Sequence, residues 1–126
     1  RSDVTYHGIL KEAHLIKAIM DQSDVLIVPS HSEGMPNVIL EGMSRGLAVI
    51  ATNVGAVRDL VNSNNGYLIE ALNENQLRSA IEKAVASGRQ DAFEKGSKAI
   101  QMLNDNFKWD KIAEQTEKQL TVRLGL

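Results

Sequence analysis

Cysteine is absent from the 126 residues, which excludes disulfides, thiolate zinc sites and cysteine nucleophiles together. Proline occurs twice and aromatic residues make up 4%. No apolar run approaches the roughly 20 residues that span a bilayer, and none follows a basic N-terminal segment as in a signal peptide. Nor is there an excess of either charge. Fourteen Lys and Arg stand against 16 Asp and Glu, for a net charge of −2, which argues against a nucleic-acid or anionic-membrane binder. What is present is ordinary for a globule: 43% hydrophobic and 24% charged residues. A compact chain of this mass would keep about 6,600 Å² of surface against about 20,000 Å² unfolded, enough burial for a core without staples. The chain starts at Arg1 and enters a β-like run by Val4, as expected of a cut inside a larger protein.

Val4-Thr5-Tyr6-His7, closed by Gly8, predicts a short strand. Ala13, Ile16, Ile19 and Met20 lie at helical spacing over 12–21. Val25-Leu26-Ile27-Val28 and Leu47-Ala48-Val49-Ile50-Ala51 are continuous apolar runs, typical of parallel strands buried on both faces. Between them 37–45 predicts a helix, with Pro36 as its first residue and Gly46 as its stop. A helical turn over 57–61, a polar turn at 62–66 and a strand over 67–69 follow. Thereafter Leu77, Ile81, Ala84 and Val85 form a helical stripe broken at Gly88. Phe93, Ala99, Ile100 and Leu103 mark a second stripe, and Trp109, Ile112, Ala113, Thr116 and Leu120 a third. These stripes read as core. The order predicts α/β architecture, a doubly wound parallel sheet over 1–72 followed by C-terminal helices over 73–126. Ligands of such sheets sit beyond the carboxyl ends of the strands.

The richest of those ends is Pro29-Ser30-His31-Ser32-Glu33-Gly34-Met35-Pro36-Asn37. A helix start offers free N–H groups and a positive dipole end to an anion. Since Pro36 has no N–H, the donors are those of Gly34, Met35, Asn37 and Val38. Glu41 shares a helix face with Asn37. Its apolar neighbours Val38, Ile39, Leu40 and Met43 call for a partner such as a sugar or ribose hydroxyl pair. Gly42, costly inside a helix, predicts close packing against a strand. His31 reads as a loop residue, Arg45 as a helix-end cation and Arg58 as a surface charge. His7 and His14 lack a third metal ligand.

The stretch 24–66 resembles the C-terminal half of a retaining GT-B glycosyltransferase of the family 4 type. It carries Pro-Ser, Glu33-Gly34-x-Pro36, Glu41 separated from Glu33 by seven residues, Gly-x-x-Val-Ile-Ala-Thr and Asn65-Gly66. Phe107 and Trp109 match an aromatic pair near the family's end, and if that end segment crosses to the further domain they leave an apolar patch exposed here. The resemblance implies that Glu33 is catalytic, beside the donor sugar, and that Glu41 holds the ribose of a nucleotide diphosphate-sugar. Gly34, Met35, Asn37 and Val38 then contact sugar hydroxyls and diphosphate. Gly8, Ile9 and Leu10 read the base through main chain. It also implies no divalent metal and no cofactor beyond the nucleotide-sugar co-substrate. The further partners it implies are an N-terminal acceptor-binding domain of the same chain and a glycan or lipid-linked acceptor, with no nucleic acid. The implied location is cytoplasmic, the parent being a candidate for peripheral association with the inner face of a membrane. The family's Arg and Lys that clamp the diphosphate lie upstream of Val4, so this chain alone is expected to bind and not to turn over. Gly55-Ala56 departs from the family's Gly-Gly. Two alternatives stand beside this reading: a GT-B nucleotide-sugar epimerase, and a non-catalytic module that keeps only the fold.

Overall fold

In the computed structural model, which describes residues 3–125, helix α1 (Ala13–Asp21) leads into strand β1 (Val25–Val28). Then follow α2 (Asn37–Ser44), β2 (Ala48–Thr52), α3 (Val57–Leu60), β3 (Gly66–Ile69), α4 (Glu74–Asn106) and α5 (Trp109–Leu124). The three strands form one parallel sheet in the order β1-β2-β3, with Val25 opposite Ala48 and Val49 opposite Gly66. All five residues of β2 are buried, as a central strand covered on both faces requires.

The alternation of β2 divides the core in two. Val49 and Ala51 pack with Ile39, Met43, Leu60 and Ala99 on one face. Ile50 packs with Ile69, Ala80, Leu77 and Ile81 on the other. One helix, α4, serves both faces. Its first half covers the Ile50 side, and beyond Gly88 its second half brings Ala99 to the α2 side. The reversal happens at Gly88, whose φ of 79° and ψ of 178° lie in a region nearly reserved for glycine. The α/β parallel-sheet expectation therefore holds, with helices on both faces.

Several local expectations do not. Residues 4–10 form no strand; Val4 is 69% and Tyr6 92% exposed, because none of the described strands pairs with this β-prone segment. β1 is not buried on both faces either: Ile27 is 41% exposed on this edge strand. Pro36 caps α2 instead of opening it, with ψ at 110°, outside helical values. Phe93 and Ile100 are exposed while Ala92 and Ala99 of the same helix are buried. No residue of α5 is buried, and Trp109 is 85% exposed, so the third apolar stripe is surface here.

Candidate functional site

The loops at the carboxyl ends of β1 and β2 are clamped together. Thr52, buried at the end of β2, donates its hydroxyl to the Ser30 carbonyl, and the Ala56 N–H donates to the Gly34 carbonyl at 2.9 Å. Gly55, at φ +54°, lies so close that a Cβ there would sit 2.0 Å from the Glu33 carbonyl oxygen. Its neighbour needs no such freedom: Ala56 has φ −86° and ψ 9°, values any residue adopts. The change from Gly-Gly to Gly-Ala thus leaves this contact intact. Within the clamped loop the Ser30 hydroxyl donates to Glu33 Oε1 at 2.7 Å, which aims a half-buried carboxylate.

Just beyond, α2 begins without a side-chain cap. Its first internal bonds are those of the Ile39 and Leu40 N–H groups to the Pro36 carbonyl, so the amides of Asn37 and Val38 precede the helical ladder. Gly34, Met35, Asn37 and Val38 are all solvent-exposed. Close packing behind them is what Gly42 provides. A Cβ at Gly42 would lie 2.6 Å from Leu26 Cδ2, so the helix rests on β1 as its glycine predicts.

Glu41 corrects one expectation. Ile39, Gly42 and Met43 turn to the core, and the helical period leaves Glu41 exposed. Its setting is a cleft of about 530 Å³ shared with Lys11, Ile16, Lys17, Met20, Ser44 and Arg45. The carboxylate is thus solvent-exposed rather than enclosed by its sequence neighbours, in a cleft whose walls carry Lys11 and Lys17 beside apolar Ala13, Ile16 and Met20. Lys11 directly follows Gly8, Ile9 and Leu10. Gly8 takes φ +66°, Ile9 is 89% exposed and Leu10 is half-buried. Lys11 and Glu41 are therefore brought to one cleft, whereas Gly8, Ile9 and Leu10 precede it in the chain and do not line it.

His31 points elsewhere, into a separate hollow of about 220 Å³ with Thr52, Glu70, Leu72 and Asn73. Arg45 has a specific partner in place of a helix-end role alone. Its Nε donates to Asp21 Oδ1 at 2.6 Å and its Nη2 to Asp21 Oδ2. The hydrogen-bonded guanidinium holds the Asp21 carboxyl below its ordinary value, and Asp21 raises that of Arg45. The pair is therefore complete above the ordinary carboxylate range and is lost only as pH falls through the depressed value. His14 lies 3.4 Å from Glu12, and the described residues hold no group of three or more His, Cys, Asp or Glu that could bind a metal ion. No helix among them is long and apolar enough to cross a membrane. Lys11, Lys17, Ser44 and Asp21 escaped sequence reasoning. Each reads there as a charge or hydroxyl on a solvated face, and only the fold gathers Lys11, Lys17 and Ser44 around Glu41 and sets Asp21 against Arg45.

This arrangement has close parallels. The family profile described as "Glycosyl transferases group 1" matches residues 1–87. The chain belongs to that family. Alpha-maltose-1-phosphate synthase of Mycolicibacterium smegmatis is 31% identical over 124 residues, 92% of this chain and 32% of that protein. UDP-Gal:alpha-D-GlcNAc-diphosphoundecaprenol alpha-1,3-galactosyltransferase of Escherichia coli is 46% identical over 56 residues, 44% of this chain and 14% of that one. Among solved structures, Anabaena Alr3699/HepE in complex with UDP superposes with a TM-score of 0.73 at 25% identity, covering 85% of this chain and 30% of that one. Sucrose-phosphate synthase from Thermosynechococcus elongatus gives 0.72 at 27%, covering 87% and 27%. The fold is that of the GT-B glycosyltransferases. The chain spans about a third or less of the length of these family members.

Proposed function

We propose that this chain is the donor-binding half of a retaining, family 4-type glycosyltransferase that uses a nucleotide diphosphate-sugar. The observation that carries the reading is the placement of the two glutamates. Glu33 is aimed by Ser30 on a loop clamped to Gly55-Ala56, and Glu41 lies one helical turn into α2 on a cleft shared with Lys11, which directly follows segment 8–10. Between them lie the uncapped amides of Asn37 and Val38. In this reading Glu41 accepts hydrogen bonds from the ribose hydroxyls, and Gly8, Ile9 and Leu10 present main chain to the base. The α2 amides and the positive end of its dipole, with the loop at Gly34 and Met35, stabilise the departing diphosphate. Glu33 stands by the anomeric centre as the catalytic carboxylate. Positioning and charge stabilisation supply the rate, and no divalent metal is called for.

The relative that acts on a diphosphoundecaprenol-linked sugar supports a glycan or lipid-linked acceptor, hence a cytoplasmic enzyme working at the inner face of a membrane. The UDP-bound neighbour supports a uridine nucleotide donor. The reading also requires an acceptor-binding domain and a basic clamp on the diphosphate, contributed by chain outside these 126 residues. The named relatives are transferases, so the epimerase alternative is not favoured.

Titrating the full-length protein with UDP, GDP and ADP, read by NMR, tests this. Shifts are expected around Gly8, Gly34 and Glu41, and their absence with all three nucleotides would sink the reading. Glu41→Ala is expected to weaken the bound nucleotide by about tenfold or more, the worth of hydrogen bonds to a charged group. Glu33→Ala is expected to leave that affinity within about threefold and to lower kcat by about 100-fold or more.

A further inference from the structure

Helix α1 forms one wall of the Glu41 cleft, through Ala13, Ile16, Lys17 and Met20, and it leads directly out of segment 8–11. Little in α1 itself explains why it stays there. It has 9 residues, short of the roughly 12 to 15 that make an isolated helix even marginal in water. No side chain caps its start, and its last residue, Asp21, puts a negative charge at the negative end of the helix dipole. Met20 is its one buried residue. Against these deficits stands a two-point tertiary polar tie. Arg45 Nε and Nη2 donate to the two carboxylate oxygens of Asp21, and Arg45 itself caps the C-terminus of α2, the helix that carries Glu41.

We infer that Asp21 and Arg45 are a positioning pair that latches α1 to α2 and so sets the width of the cleft that Glu41 shares with Lys11 and α1. The inference rests on the nucleotide reading above and adds to it Arg45, which lines the cleft, and Asp21, which does not. Because the latch acts across the mouth of a site, its loss raises the donor requirement without touching the chemistry. Arg is suited to the task and Lys is not, since a single ammonium cannot engage both carboxylate oxygens in the same plane.

The test is UDP affinity and steady-state kinetics of the full-length protein. Arg45→Ala and Asp21→Ala are each expected to raise the Kd for UDP and the KM for donor about fivefold, with kcat unchanged. The double variant should be no worse than either single one, and the swap Asp21→Arg with Arg45→Asp should recover most of the loss. Arg45→Lys, which keeps charge and bulk, should fall between wild type and Arg45→Ala, and it serves where the alanine variants fold poorly. Amide exchange in α1 should quicken in Arg45→Ala, whereas that of β2 should not. If the wild type binds no nucleoside diphosphate, the nucleotide reading falls and the inference with it. If the wild type binds and Arg45→Ala binds equally well, the inference alone is overturned. Equal losses in Arg45→Ala and the charge swap would overturn it as well, since a latch depends on the pair and not on either residue.

Discussion

Gly55 shows how one residue can hold a site without taking part in its chemistry. At φ +54°, with the Glu33 and Gly34 carbonyls where a Cβ would go, it meets two reasons to be glycine at once. Gly55→Ala must either push the Glu33 loop away or leave its own backbone conformation. The expected cost is about 1–3 kcal/mol, read as a lower urea midpoint, together with displaced NMR resonances at Glu33 and Gly34. An unchanged midpoint would show that the two loops are not clamped. The motif that contains Gly55 was legible in sequence; its contact with Glu33 was not. The opposite held at Gly42, where a glycine in a helix was enough to announce the approach to β1. Glu41 was legible as a candidate from its spacing, yet its surroundings were misread. Ile39 and Met43, two of its apolar neighbours in sequence, lie on the buried side of a helix of 3.6 residues per turn.

At the scale of elements, legibility follows the partners each one needs. Helix α2 and strand β2 were plain, because caps, stops and continuous apolar runs are local signals. Segment 4–7 was read as a strand on its β-branched and aromatic residues, but a strand exists only where another backbone pairs with it. Helix α5 forms as its spacing predicts, while its apolar stripe finds nothing to cover it among the described residues. Two substitutions should separate the cases. Ile39→Ala, at a site with no exposure, is expected to cost about 2–5 kcal/mol, with a cavity left against β2. Leu120→Ala, in the α5 stripe, is expected to change stability by no more than about 0.5 kcal/mol. A large loss at Leu120 would mean that α5 packs against the body of the chain after all.

Taken whole, the molecule keeps 9014 Å² of accessible surface, well above the about 6,600 Å² of a compact monomer of this mass. The surplus accords with the open N-terminal segment, the exposed edge of β1 and the uncovered α5. The early expectation of a compact, self-sufficient core is therefore corrected. These 126 residues fold around β2 but bury less than their length allows. Since the urea m-value scales with the surface exposed on unfolding, it should be about a fifth smaller than that of a compact domain of equal length. A value at or above the compact figure would mean that the open surfaces close up in solution.

The sequence by itself determined the order of helices and strands from α1 onward, the parallel α/β class, the glutamate spacing and the glycine beneath α2. These follow from periodicity, caps and turn chemistry, which are properties of neighbours along the chain. Only the tertiary structure decided that α4 turns at Gly88 to serve both faces of the sheet. It also decided that Glu41 opens onto a cleft with Lys11 and Lys17, and that Arg45 meets Asp21, 24 residues away. Such pairings depend on what lies opposite across space, and a residue's own neighbours in sequence carry no trace of it.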